Sequence, residues 1–335
     1  MKSKKGLIFG ILGLVIFFGI GLFAPAGMKD TVASFIGQDF RIAIPLALAA
    51  VGMVYGERSG ILNLGTDGLM LTGAMFTWLG AAMFGGSPWI GSLFGIVSTV
   101  IIAALFAFLV ITIRANQTVI GVSINILALG ITSTVYRAVG SELPSTKTDN
   151  FPIINFEPIL GKIPVIGNYL SDILTQHVFI FIGIAIVLLL QFHLFKTNLG
   201  LNVRAVGEYP KACDTLGINV FKIRYGSVLF SGVLAGLAGG LLVLDSGSFV
   251  ENFTSGKGFI AIAAVIFGKY TPIGALGAAL IFGGAQALQY SIPTSWGMSS
   301  DLLSMIPYII TVVALAGFIG KTNKPAASTI PYTKE

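Results

Sequence analysis

The chain has 335 residues, of which 10% are charged and 55% apolar, with 43 glycines, a mean hydropathy of +0.89 and a net charge of +6. Soluble domains carry about a quarter charged residues, so two soluble domains of this length are excluded and a polytopic, all-α membrane protein is implied. A single cysteine, Cys213, excludes an internal disulfide framework and a cysteine-rich metal site, and the two histidines, His177 and His193, near predicted helix ends, give metal chemistry no foothold.

Lys2, Lys4 and Lys5 precede an apolar run over 7–23, followed by Ala24, Pro25 and Ala26. The pattern fits a secretory signal with a small-residue cleavage site, or an uncleaved first span with its basic flank in the cytoplasm. The membrane character of the rest favours the uncleaved span. Further apolar segments run over 41–56, 62–84, 89–113, 118–138, 177–195, 225–244, 258–268, 273–290 and 301–320, which predicts about ten transmembrane helices. The 258–268 segment is short against the roughly 20 residues of a full crossing. It counts only if Gly256 and Gly258 open a broken or re-entrant helix.

With an inside N-terminus and ten crossings, only Lys29, Arg41, Arg137, Lys147, Lys162 and Lys257 of the 20 basic residues fall outside. That bias places both termini in the cytoplasm, and this sidedness accounts for the net charge without nucleic acid. One transmembrane domain over 1–320 is expected, with a polar cytoplasmic tail over 321–335 expected to be disordered. The proline-bearing external segment 139–176 reads as an ordered cap with a short helix near Tyr169 to Leu174, serving either receptor docking or passive cover. Two groups of four spans around spans one and six would suit an inverted repeat.

Residues 56–74, GERSGILNLGTDGLMLTGA, set Asn63 and Asp67 among glycines in apolar sequence. An ionisable group in the bilayer points to a paired or functional role, yet Asp67 also suits a cap for a helix beginning at Gly68. Residues 115–133, ANQTVIGVSINILALGITS, contain Asn125, whose amide can read a neutral solute through paired donor and acceptor or bond a neighbouring helix. The spacing of Gly232, Gly236 and Gly240 predicts a packing stripe without chemistry. Phe76 offers a face for stacking, and Gln286 and Gln289 are lesser candidates to border a path. GFIGKT at 317–322 lacks the first glycine of a phosphate loop, having Leu315 there, and ends a membrane helix. ATP hydrolysis by this chain, and any catalytic triad or carboxylate pair, are not expected.

Residues 196–224, KTNLGLNVRAVGEYPKACDTLGINVFKIR, form the charged interruption between the sixth and seventh apolar runs. Pro210 suits a first helical turn and Gly217 a C-terminal stop. The two turns between are too short to stand alone in water, so they must be held by what they pack against. That predicts a surface gripped by another protein, the mechanical input of a transporter.

The stretches GERSGILNLGTDGLMLTGA, NQTVIGVSINILALGITSTVYR, LNVRAVGEYPKACDTLGINV and GKGFIAIAAVIFGKYTPIGALGAALIFG, in order over about 40–320, resemble the permease subunits of ABC importers for nucleosides. These belong to the broader group serving simple sugars and branched-chain amino acids. The resemblance implies one half of a translocation pore, a second homologous permease, a substrate-binding lipoprotein, and a separate ATPase that binds ATP and Mg2+. This chain itself would bind no cofactor. It also implies that Gly207, Glu208, Tyr209, Pro210, Lys211, Ala212, Cys213, Asp214, Leu216 and Gly217 form the coupling element that docks on the ATPase. The sequence departs from the family pattern at Tyr209, usually Asn, at Cys213, usually Ala, and at Asp67, usually Glu. A neutral nucleoside would then pass Asn63, Asp67, Phe76, Asn125 and Gln286. The competing expectations are a sugar or amino-acid ABC permease and an ion-coupled transporter, which should carry more mid-membrane ionisable groups.

Overall fold

A computed structural model describes residues 26–139, 150–161, 163, 167–291, 305, 309 and 324–334. The regular structure of the described residues is helical apart from one small ladder. Helix α1 is Ala26–Arg58, α2 Thr66–Met83, α3 Pro88–Ala107 (prolonged by a π turn, Phe108–Thr112) and α4 Gln117–Val139. Strand β1 (Ile153–Ile154), α5 (Glu157–Leu160), α6 (Gly167–Leu174) and β2 (Gln176–His177) follow. Then come α7 (Val178–Lys196), α8 (Asn198–Glu208), α9 (Pro210–Thr215), α10 (Val220–Ser246), α11 (Lys257–Phe267) and α12 (Pro272–Ser291).

Two buried helices make the centre. Helix α1 packs against α10, α12, α11 and α7, and α2 packs against α3, α10 and α4. Small residues set these contacts. A Cβ at Gly232 would lie 2.6 Å from the Ala103 Cβ, one at Gly236 2.8 Å from the Thr99 hydroxyl, and one at Gly240 2.6 Å from the Thr77 hydroxyl. The stripe read from spacing is therefore the face on which α10 meets α3 and α2, where absent side chains let backbones approach.

Among the described residues, six helices are long and apolar enough to cross a membrane: those spanning Thr31–Arg58, Pro88–Thr112, Gln117–Val139, Val178–Lys196, Val220–Ser246 and Pro272–Tyr290. The expected count of about ten is thus not reached. The runs 7–23 and 301–320 lie outside the described residues but for Met305 and Ile309, and α2 and α11 fall short for physical reasons. Helix α2 opens on polar Thr66 and Asp67 and is covered by neighbours, and α11 has 11 residues, about 16 Å of helix.

What precedes α11 completes its course. Phe249 lies 6.1 Å from Trp78 and 5.5 Å from Tyr136 by ring centres, and Thr254 and Gly258 bond Asp67. The irregular segment 247–256 therefore runs back along α2 from Trp78 to Asp67. The turn that ends helix α11 carries Lys269 and Tyr270, whose carbonyls accept from Arg58 at 3.4 and 2.9 Å. This is the broken helix that Gly256 and Gly258 predicted, with Gly256 at φ +84 just before α11.

At one end of the bundle, β1 and β2 pair antiparallel, Ile153 opposite His177, and α6 sets Tyr169 and Ile173 on Ala33 and Ile36 of α1. The cap helix expected near Tyr169 to Leu174 is present. At the opposite end lie α8 and α9. The expectation of a disordered tail is corrected for residues 324–334, where Ala327, Ser328 and Tyr332 are buried against that end. Composition missed it because backbone hydrogen bonds, rather than apolar content, hold the segment down.

Candidate functional site

The stretch joining α1 to α2 carries no regular structure over Ile61–Asn63, and side-chain amides satisfy its backbone. Gln117 accepts from the Leu62 N–H at 2.8 Å, and Asn63 accepts from the Gly65 N–H at 2.8 Å. Asn125 of α4 accepts from the Gly68 N–H at 2.8 Å and donates to the Leu64 carbonyl at 3.0 Å. Asn125 is therefore a latch between α4 and the start of α2, with one donor and one acceptor already engaged. The Asn63 Nδ2 is buried with no partner, which leaves a spare donor inside the seam.

Asp67 does not cap a helix starting at Gly68. Helix α2 begins at Thr66 after Gly65 with no side-chain cap, and Asp67 points across to α11. Its carboxylate accepts from the Gly258 N–H at 2.8 Å and from the Thr254 hydroxyl at 3.2 Å. Helix α11 thus takes its N-terminal anion from another helix, where the exposed N–H groups and the dipole favour negative charge. A Cβ on Gly258 would collide with the Asp67 backbone, so the glycine allows this approach. Thr254 and Gln117 were not singled out from sequence for these bonds. Thr254 had no signal, since its partner is 187 positions away.

Asn63, Asp67 and Asn125 come together in one seam between α2, α4 and α11. Phe76 sits further along α2, half-buried against the core. Gln286 is buried on α12, which packs principally against α1, α11 and α7. The structure does not bring these two to the seam.

The α8–α9 end is built for contact. Thr197 caps α8, accepting from the Gly200 N–H at 3.1 Å, and the chain breaks at Tyr209 (φ −141, ψ 77) before Pro210 opens α9. Gly217 at φ +81 ends it, in a left-handed conformation that suits glycine. Tyr209 is 72% exposed and Leu216 79%, with Glu208, Lys211 and Ala212 exposed beside them. Gly207 backs directly onto the Arg58 carbonyl. Cys213 faces inward, 4% exposed, with Val206, Val220 and Tyr332, and this burial pushes its thiol pKa up. Asp214 pairs with Lys334 at 3.6 Å. Helix α8 itself was read from sequence only as a charged interruption.

At the cap end, a polar cavity of about 510 Å³ is lined by Gln38, Arg41, Asp172, Gln176 and Asp245. Arg41 donates to the Gln176 side chain at 3.0 Å. His177 Nδ1 donates to the Phe151 carbonyl at 2.8 Å, and its Nε2 lies 3.2 Å from the Asn150 amide nitrogen and 4.0 Å from the Asp245 carboxylate. No group of side chains suited to hold a metal occurs among the described residues.

Residues 36–315 match the family model described as branched-chain amino acid transport system / permease component. The chain is 42% identical over 308 residues to the guanosine ABC transporter permease protein NupQ of Bacillus subtilis, covering 87% of this chain and 94% of the relative. It is 37% identical over 314 residues to the nucleoside ABC transporter permease protein NupC of Lactococcus lactis, covering 91% and 98%. It is also 32% identical over 333 residues to TsgC13 of Haloferax volcanii, which carries a provisional glucose ABC transporter permease name, covering 90% and 98%. No solved structure matches. The match over residues 36–315 and the identities of 42% and 37% over most of the chain place this apolar helix bundle in the branched-chain amino acid transport system permease component family.

Proposed function

We propose that the chain is the transmembrane permease subunit of an ATP-driven importer for nucleosides. The observation that carries this is the near full-length identity to two relatives named for guanosine and nucleoside transport. In this reading the α8–α9 end is cytoplasmic and grips a separate ATPase, which binds ATP and Mg2+. The cap end faces a substrate-binding lipoprotein, and a second, homologous permease completes the pore.

Coupling follows from the shape of α9. Nucleotide-driven closure of the ATPase moves the exposed Tyr209 and Leu216. The buried side of the same helix, at Cys213, carries the motion to Val206 and Val220 and so to α10. The neighbouring contact of Gly207 with the Arg58 carbonyl carries it to α1. Helix α11 is held to α2 by one carboxylate and to α1 by Arg58, and it can shift without breaking a continuous helix. Such discontinuous helices border transport paths in other carriers. The solute passes beside Asn63, Asp67 and Asn125, with Asn63 Nδ2 the donor left over to meet it, and Phe76 and Gln286 line the route further on. The test is uptake of labelled guanosine and uridine into cells or vesicles, with ribose and glucose as competitors. ATP-dependent nucleoside uptake that neither sugar displaces is expected. Displacement by glucose with no nucleoside uptake refutes the substrate.

A further inference from the structure

The segment 324–334 lies where α8, α9, the α1–α2 connection and the start of α10 meet. Three of its backbone N–H groups donate to two separate elements: Ala326 to the Glu208 carboxylate at 3.2 Å and Ala327 to the Gly207 carbonyl at 2.9 Å, both at the end of α8, and Thr329 to the Gly60 carbonyl of the α1–α2 connection at 3.2 Å. Arg224 reaches it from α10. Only 2% exposed, its guanidinium donates to the Ser59 carbonyl at 3.2 Å and to the Ile330 carbonyl at 3.3 Å. It also lies 6.0 Å from the Tyr332 ring centre. Tyr332 meets Phe221 edge-on at 5.5 Å and closes the cluster of Val206, Cys213 and Val220. Lys334 pairs with Asp214, and Lys324 supplies an opposing charge to the buried Glu57.

A buried guanidinium is costly unless its donors are met; the Ser59 and Ile330 carbonyls, from segments far apart in sequence, meet two of its nitrogens, and Nη2 is buried with no partner. Arg224 therefore requires α10, the Ser59 turn and the C-terminal segment to stay together. Helix α9 requires the same. It has six residues, is flanked by backbone breaks at Tyr209 and Gly217, and would swing as a flap if only its two ends held it. The C-terminal segment bridges α8 and α9 to α1 and α10 and removes that freedom.

We propose that residues 324–334 are a clamp that makes the coupling element rigid with the membrane helices, with Arg224 as its positioning residue. The proposal rests on the reading of α8 and α9 as the ATPase contact. It assigns the C-terminal segment a part in converting ATP hydrolysis into transport, rather than in binding the ATPase or the solute.

The test uses the whole importer, ATPase and receptor included, in proteoliposomes, and compares the full chain with a chain lacking residues 324–335 and with Tyr332→Ala. Both altered complexes are expected to retain the ATPase and hydrolyse ATP, while solute moved per ATP falls roughly tenfold in the deletion, the scale of the one hydrogen bond from Arg224 to Ile330 that it removes, and falls less in Tyr332→Ala, which loses the ring's contacts with Arg224 and Phe221. A second measurement does not depend on the deletion folding. Tyr332→Cys in the full chain is expected to be bridged to Cys213 by a short bis-maleimide in the assembled complex. Unchanged solute per ATP in the deletion, or no bridging in the assembled importer, overturns the clamp and leaves the α9 contact standing. Import by the intact chain with no ATPase bound overturns the contact reading, and the clamp with it.

Discussion

Asp67 gives the sharpest test of the α2–α11 seam. Asp67→Ala removes the acceptor of two hydrogen bonds and leaves the Gly258 N–H and the Thr254 hydroxyl without it. Bonds to a charged group contribute roughly 1.5–3 kcal/mol each, and the low end applies because Asp67 is only half-buried. The expected loss is therefore about 3 kcal/mol, while Asp67→Asn, which keeps one acceptor oxygen, should lose about half of that. Unfolding entropy near 2.1 cal/mol/K per residue, taken over the chain, converts about 3 kcal/mol into a Tm drop of roughly 4 °C. Helices that persist in the unfolded membrane protein lower that entropy and enlarge the shift. The assay is thermal release of Cys213, the single cysteine and a buried one, to a thiol-reactive dye in detergent. Wild-type Tm in both variants refutes the cap. Wild-type Tm with lost uptake would make Asp67 a solute contact instead.

Asn125→Ala frees the Gly68 N–H and the Leu64 carbonyl and should cost about 1–2 kcal/mol, within the range for bonds between membrane helices. As a latch it lowers Tm and leaves the KM for nucleoside unchanged, whereas a raised KM at wild-type Tm makes it a solute reader. Asn63→Ala removes the acceptor of the Gly65 N–H together with the unpartnered Nδ2 donor: Tm falls with about 1–3 kcal/mol of lost stability and KM rises, and unchanged uptake at unchanged expression removes Asn63 from the path. Gly207→Ala drives a methyl into the Arg58 carbonyl, with about 1–3 kcal/mol of overpacking expected. It should depress uptake through the α1–α8 contact, and wild-type Tm and uptake together would contradict that contact.

The sequence announced what local chemistry decides. Pro210 and Gly217 bracket α9 where a fixed φ and a left-handed residue were expected, and the spacing of Gly232, Gly236 and Gly240 gave the α10 packing face. The short helix α11 was also legible, because Gly256 and Gly258 open an apolar run too short for a full crossing. What distance in the chain decides was not. Asp67 was read against its own helix, but Gly258, 191 positions away, takes the carboxylate. Asn125 shows the same thing, its amide being engaged by backbone groups 57 and 61 positions away. Charge marked residues 196–224 as an interruption, yet Thr197 as a cap and Val203 and Val206 on one face made α8 a helix. Around α9, Ala212 and Leu216 are exposed, and Cys213 is the buried residue. Hydropathy hid the docked tail for the same reason it found the spans, since it counts side chains and not backbone donors.

The central claim is that the exposed side of α9 is gripped by a separate ATPase. Photocrosslinking from Tyr209, replaced by Cys in a Cys213→Ser chain and labelled with a benzophenone maleimide, tests it in the assembled membrane complex. Adducts to an ATPase subunit, with their yield changed by ATP, are predicted. Uptake that proceeds with the site labelled, no adduct formed and ATP depleted would contradict the account.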